Sequence, residues 1–249
     1  MTKKIWITGA SSGIGRALAI KFSNEGWQVA ASARRESLLN DLNKSNPNIH
    51  AFVLDVKDEK SVRNVFQNIL QKFETLDICV FATGIHDPEA EKKLSLEKIR
   101  EIMETNFFGT LNCIMAVNSF FREKKDGHIA IVSSVAGYRG LPAASGYCAS
   151  KAALTSLAES LYFDFKRKNV KVSLISPGFI KTPMTDKNRF PMPMIKSPEY
   201  AAEKIFIGLT KKNSFEIDFP KSFTILLKLL KIMPNWLFFW LVERGVKRF

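Results

Sequence analysis

Short apolar runs and amphipathic stretches take turns along this chain. The runs are KIWIT, WQVAASA, IHAFVLDV, LDICVFAT, HIAIVSS and VKVSLIS, with a shorter FEIDF near residue 217. Several are continuously apolar, which suits parallel strands covered on both faces. Between them lie helix-length segments. One runs from Ile14 to Glu25, and a polar one follows Glu36. A third repeats near 3.6 residues at Val62, Val65, Phe66, Ile69 and Phe73. Others run from Leu96 to Arg122, up to Lys168, and from Pro198 to Thr210. Strand and helix in alternation predict βαβ units, hence an α/β fold with a doubly wound parallel sheet. Ligands in such sheets bind beyond the strand C-termini.

Two segments leave the pattern. Residues 179–197 carry Pro183, Pro191 and Pro193 and read as a loop. Residues 220–249 are apolar, basic and interrupted by Pro234. The chain therefore divides into a main domain, 1–219, and a C-terminal helical extension, 220–249.

The 249 residues are 46% hydrophobic, enough for one sizeable core. Cys79, Cys113 and Cys148 have no zinc-like or paired spacing, and His50, His86 and His128 are scattered, so no metal site is expected. The apolar run after Lys4 is too short for a signal peptide, which points to the cytoplasm. The net charge of +13 suits nucleic acid, an anionic membrane or an anionic small molecule. No nucleic-acid-binding motif accompanies it, so no nucleic-acid partner is expected.

The sequence TGASSGIGR sits between the first strand and its helix, with Gly9, Gly13 and Gly15 at Gly-x-x-x-Gly-x-Gly spacing. Glycines there let the backbone approach a pyrophosphate, and the helix N-terminus offers free N–H groups. The second strand ends in ASARRES. A dinucleotide site reads the ribose at this point, an acid favouring NAD and a basic residue accepting the 2′-phosphate of NADP. Arg34 and Arg35 occupy it with no acid before Glu36. NADP(H) is therefore the expected cofactor, with NAD(H) as the alternative.

The sequence SSVAGYRGLPAASGYCASK carries Ser134, Tyr147 and Lys151. On their own, Tyr147 and Lys151 are an ordinary pair one helical turn apart. With Ser134 at a strand end and a cofactor turn upstream, they read as chemistry. Tyrosine with a pKa of about 10 is a reluctant acid. A lysine ammonium on the same helix face favours tyrosinate and would bring Tyr147 toward the working pH. Ser134 can donate to a substrate oxygen as charge develops there.

With TGASSGIG near the start and YCASK after the fifth strand, the chain resembles the short-chain dehydrogenase/reductase family from residue 3 to about 219. The resemblance implies a Rossmann-type fold, a homo-oligomer, and NAD(P)-dependent interconversion of a carbonyl and an alcohol. It makes Gly9, Ser11, Ser12, Gly13, Ile14 and Gly15 the cofactor turn and Arg34 the 2′-phosphate reader. Asp55 is similar to the acid beside the adenine. Asn106 resembles the helix asparagine that holds a water linking the lysine to solvent. Ser134, Tyr147 and Lys151 match the catalytic residues, the last two also touching cofactor. Pro177, Gly178, Ile180 and Thr182 would hold the nicotinamide end. One departure stands out: the family's Asn-Asn-Ala-Gly is Phe81-Ala82-Thr83-Gly84 here, which keeps Gly84 and puts local packing in question. The same fold without turnover, a non-catalytic NADP-binding module, is the alternative.

Phe179, Met184, Phe190, Met192, Met194 and Ile195 make the 179–197 loop apolar, and Leu141 and Pro142 add to that wall. Either they pack the loop down or they receive a hydrophobic, lipid-like carbonyl or alcohol. In the extension, a helical reading puts Lys221, Thr224, Lys228 and Lys231 on a polar stripe opposite Phe223, Leu226, Leu227, Leu230 and Met233. Pro234 should break it, and an apolar patch continues from Trp236 to Val242 before Arg244, Lys247 and Arg248. The segment is too interrupted to span a membrane. It reads either as a helix lying in an anionic membrane interface or as one packed on its own domain or a second subunit.

Overall fold

A computed structural model describes residues 2–246. Its elements follow the alternation: β1 (Lys4–Thr8), α1 (Gly13–Asn24), β2 (Gln28–Ala33), α2 (Glu36–Lys44), β3 (Ile49–Val53), α3 (Glu59–Phe73) and β4 (Ile78–Phe81). Then come α4 (Pro88–Lys92), α5 (Leu96–Met103), α6 (Gly109–Lys124), β5 (His128–Val132), α7 (Ser145–Lys166), β6 (Lys171–Pro177), α8 (Pro198–Ile207) and β7 (Glu216–Phe219). Two more helices, α9 (Lys221–Ile232) and α10 (Asn235–Val246), complete the described chain.

The continuous apolar runs feed two cores. Ile5, Ile7, Val29, Ala31, Ile78 and Val80 face one layer with α1, α2 and α8. Their neighbours Trp6, Ala30, Cys79 and Phe81 face the other, with α3, α6 and α7. Side chains alternate across a strand, so burial on both faces needs apolar residues at every position. The seven strands run in the order β3-β2-β1-β4-β5-β6-β7 with parallel pairing throughout. The order reverses between β1 and β4, which opens the crevice where such sheets bind ligands.

The Phe81–Gly84 departure leaves the sheet in register. Phe81 is fully buried and meets Trp6 edge-on at 5.7 Å. Ala82 N donates to Thr8 Oγ1 at 3.2 Å, so a threonine hydroxyl on β1 ties down the segment.

The long segment from Leu96 is α5 and α6 joined by one π-helical turn at Glu104–Phe108, a wide turn that periodicity does not reveal. The 179–197 loop is closed at its base by a parallel bridge between Ile180 and Lys196.

The extension breaks at Pro234 as expected, and α9 follows its amphipathic reading in part: Phe223 is buried with Leu227 packed beside it, and Lys221 and Lys231 are exposed. Thr224 is 0% exposed, and Lys228 Nζ reaches Glu216 Oε2 at 2.6 Å and Asp218 Oδ2 at 3.2 Å. The middle of the expected polar stripe, Thr224 and Lys228, thus turns inward, because β7 supplies carboxylates beneath it. Ile225, Leu226, Leu229 and Ile232 turn outward. Trp236, Phe239 and Trp240 continue that exposed face on α10, while Phe238 is buried. The expected terminal charges Lys247 and Arg248 lie outside the described residues.

Candidate active site

The glycine turn is built by close approach. Gly9 has φ +71°, and a Cβ there would stand 2.8 Å from Ala82 O. A Cβ on Gly15 would stand 2.4 Å from Gly9 O. Gly13, at φ +54°, faces the Thr182 methyl. Only glycine keeps this turn open and tight at once. At the start of α1, Ser12 makes no capping bond to the helix, so its first N–H groups are not closed off by that side chain. This is the cradle a dinucleotide phosphate fits.

One cleft runs along the strand ends. It is lined by Gly9, Ser11, Ser12, Gly13, Ile14 and Gly15 from the turn, Arg34 and Arg35 after β2, and Asp55 after β3. Gly84, and Thr182 with Pro183 and Met184, line it too. Asp55 Oδ1 accepts from Lys57 N at 3.0 Å. Pro177, Gly178 and Ile180 stand behind the lining. Gly178 N donates to Phe219 O at 2.8 Å, and Ile180 is buried.

Sequence reasoning gave the 2′-phosphate to Arg34 alone. Arg35 is also bonded to the turn: its guanidinium donates to Ser11 Oγ at 2.8 Å and Ser12 Oγ at 2.7 Å. Also missed were Ser32, Leu54, Val56 and Thr105 along the cleft. The only signal for the first three was position at a strand end, and Thr105, in the π-helical turn, had none.

At the far end, α7 carries Tyr147 and Lys151, and Ser134 follows β5. Ser134 Oγ accepts from Ala136 N at 3.1 Å and lies beside the Tyr147 phenol. Lys151 Nζ donates to Val132 O at 2.9 Å, and a Cβ on Gly84 would lie 3.5 Å from it. Asn106, in the π-helical turn, is fully buried. Its Oδ1 accepts from Ile85 N at 2.7 Å, and its Nδ2 donates to Ile85 O and Ser150 Oγ, both at 3.0 Å. It therefore pins the loop after β4 against α7.

Burial pushes the Tyr147 phenol up to about 12; the Ser134 hydroxyl opposes this, and Cys148 and Glu91 add to it. Burial brings Lys151 down to about 8. The lowering of the tyrosine pKa expected from Lys151 is not seen in this arrangement. The ammonium is directed to a carbonyl, with Nζ 5.7 Å from the phenol ring centre, and desolvation dominates.

The short chain dehydrogenase family model matches residues 3–193. The chain belongs to that family. An uncharacterized oxidoreductase of Myxococcus xanthus is 34% identical over 236 residues, covering 93% of each chain. A 3-oxoacyl-(acyl-carrier-protein) reductase of Thermotoga maritima is 29% identical, covering 84% of this chain and 91% of its own. A short-chain dehydrogenase structure from Streptomyces avermitilis aligns over 100% of this chain and 98% of its own at TM-score 0.83 and 25% identity. ElxO, solved with NADP bound, aligns over 88% of this chain and 98% of its own at TM-score 0.78 and 27% identity. The chain is thus a short-chain dehydrogenase/reductase oxidoreductase with a single Rossmann-type domain. Among the described residues no helix is long and apolar enough to cross a membrane.

Proposed function

We propose that this short-chain dehydrogenase is an NADP(H)-dependent enzyme that interconverts a carbonyl and an alcohol on a hydrophobic, lipid-like substrate. The observation that carries this is one cleft with two arginines at its adenosine end, the second bonded to Ser11 and Ser12, and the Ser134 hydroxyl beside the Tyr147 phenol beyond its other end. When bound, the nicotinamide supplies or accepts the hydride. The residues do the rest. Arg34 and Arg35 receive the 2′-phosphate, and the glycine turn with the α1 N-terminus receives the pyrophosphate. Thr182, Pro183 and Met184 close over the turn. Tyr147 stays protonated at neutral pH and gives its proton to the oxygen of a ketone. Ser134 holds that oxygen by a hydrogen bond. Lys151, beside Gly84, offers its ammonium to the ribose on the nicotinamide side. Asn106 fixes the wall between them, and the homologous NADP-bound structure supports the cofactor choice.

Phe179 stacks toward Phe190 and Phe223, and Leu141 packs near Tyr147, which supports an apolar substrate wall. NADPH consumption with ketones of graded chain length tests the reading. Turnover should rise with chain length and vanish in Tyr147→Phe, with NADPH binding intact. Tight NADPH binding without turnover across the panel would instead identify a non-catalytic NADP-binding module.

We also infer an anionic membrane surface as partner. The exposed apolar face of α9 and α10, two tryptophans among it, is flanked by Lys221, Lys231 and Arg244. Apolar area ringed by cations suits an anionic lipid interface, and two such cationic faces repel each other. Sedimentation with anionic liposomes should carry down the wild type and leave a Leu229→Ser/Trp236→Ser/Phe239→Ser variant in solution. Wild type left in solution would overturn the membrane reading, and a halving of particle mass in the variant would assign the face to a homo-oligomer.

A further inference from the structure

Tyr147 lies in the first turn of α7, and that turn lacks a cap of its own. The capping position is Ala144, whose side chain offers no acceptor. Free N–H groups at a helix start need one. The acceptor comes from α4. Glu91 Oε2 takes Gly146 N at 2.6 Å and Tyr147 N at 3.1 Å. The Glu91 side chain is 0% exposed, and its charge sits where the helix dipole favours an anion.

The other oxygen has a distinct neighbour. Glu91 Oε1 lies 3.2 Å from His86 Nε2, both atoms are buried, and neither makes a geometrically complete hydrogen bond to any described residue. The Ala143 backbone, on the loop leading into α7, also lies near the imidazole and favours its protonated form. Its ring lies along the Tyr147 ring, with centroids 4.5 Å apart and planes 30° apart. A neutral imidazole has one N–H to give. A proton between Nε2 and the carboxylate oxygen joins the two, and without one a lone pair faces a carboxylate.

We propose that Glu91 and His86 form a one-proton bracket that seats Tyr147, the carboxylate capping the helix through the tyrosine's own N–H and the imidazole backing its ring. Both are positioning residues, and the proposal rests on the reading that Tyr147 acts in turnover. The bracket explains why a carboxylate is fully buried beside the active tyrosine, a costly placement unless the charge is paired. Asp87 on the same loop, Lys187 of the substrate loop, and Tyr147 and Cys148 on α7 are the other titratable groups around the pair. Burial holds the His86 imidazole below its ordinary value and the Glu91 carboxyl above its own, which brings their affinities for the one proton closer together, and the proton is lost as pH rises. Losing it sets a lone pair against a carboxylate and unseats the ring.

The test compares Glu91→Gln, Glu91→Ala and His86→Phe with wild type. The amide of Glu91→Gln keeps an oxygen for both backbone N–H groups and turns an N–H to His86, so no titratable proton is needed. It should retain kcat within about twofold at neutral pH, with the alkaline fall in kcat flattened. His86→Phe should keep the stacking and show the same flattened profile. Glu91→Ala should lower kcat about tenfold or more with the KM for NADPH unchanged, because the tyrosine loses its seat and the cofactor cleft does not. A wild-type pH profile in both Glu91→Gln and His86→Phe, or unchanged kcat in Glu91→Ala, would overturn the bracket. A readout independent of turnover is the ultraviolet titration of the Tyr147 phenol, taken as the difference from Tyr147→Phe. It should move to lower pH in Glu91→Gln, where the neighbouring negative charge is gone. An inactive wild type with that shift would sink the enzymatic reading and keep the bracket; an active wild type without it would sink the bracket alone.

Discussion

The glycine turn and the C-terminal helices are held by opposite means. The turn is fixed by backbone against backbone: Gly9 on Ala82, Gly15 on Gly9. No ionisable side chain takes part in those two approaches. The α9 helix is fixed by charge, with Lys228 between Glu216 and Asp218 and Lys221 beside Asp218. Contact by shape is written locally, so a motif reveals it. Contact by charge depends on which strand arrives underneath, and no helical wheel contains that strand. For this reason the amphipathic reading of α9 put Thr224 and Lys228 on the outer side, although both face β7.

Five outcomes would break or sharpen this contrast. The largest effect is expected at the turn. Gly15→Val puts carbon where only 2.4 Å separates a Cβ from Gly9 O. NADPH binding, followed by fluorescence titration, should fall by about a hundredfold or more, with a loss of about 3 kcal/mol or more in stability. Near-normal binding would mean the turn yields and shape does not govern it. Next comes Lys228→Met, which leaves two carboxylates facing each other under α9. Denaturant unfolding should show a loss of about 2–3 kcal/mol, with NADPH affinity unchanged. An unchanged midpoint would place the anchoring of α9 elsewhere.

Acid and base should separate the two regions. Desolvation raises the Asp218 carboxyl, but hydrogen bonds from Lys221, Thr224 and Lys228 outweigh it and hold it below 3.8. Its contribution is therefore present above its unfolded pKa and lost as pH falls through the lower folded value. Desolvation likewise lowers Lys228, and Glu216 and Asp218 outweigh it and raise it above 10.5. That contribution is complete below 10.5 and lost as pH rises through the folded value. Hydrogen exchange in α9 should accelerate at both extremes before exchange in α1 does. Equal acceleration in both helices would remove the contrast. A smaller effect is expected from Arg35→Ala, about a tenfold narrowing of the preference for NADPH over NADH, because Arg34 remains in the cleft. No narrowing would leave the 2′-phosphate to Arg34 alone. Smallest of all, Leu229→Ser should leave the melting temperature within about 1 °C, since its side chain already faces solvent.

The same division runs through what the sequence could reveal. The strands were legible because burial on both faces demands unbroken apolar runs, and Ile5-Trp6-Ile7 serves both cores. The cofactor turn was legible because glycine spacing is itself the geometry. The π-helical turn around Asn106 was not, because one wide turn hardly disturbs a 3.6-residue period. The Glu91 cap was not, because its two backbone partners lie on another helix, and an isolated glutamate on a short helix reads as surface. Arg35 was seen only as half of a pair, since adjacent residues on an extended end can each point to the cleft.

Arg139 gives the C-terminal helices a hold on the serine side of the site. Its guanidinium donates to Leu230 O and Met233 O, both at 2.8 Å, bonds Asn235, and lies 4.0 Å over the Phe238 ring. Tyr138, its neighbour, donates to Glu216, the carboxylate that also holds Lys228. Both residues stand in the span between Ser134 and Tyr147. The extension and that span are therefore bolted together, a crank whose handle is an apolar outer surface and whose far end is the segment between Ser134 and Tyr147.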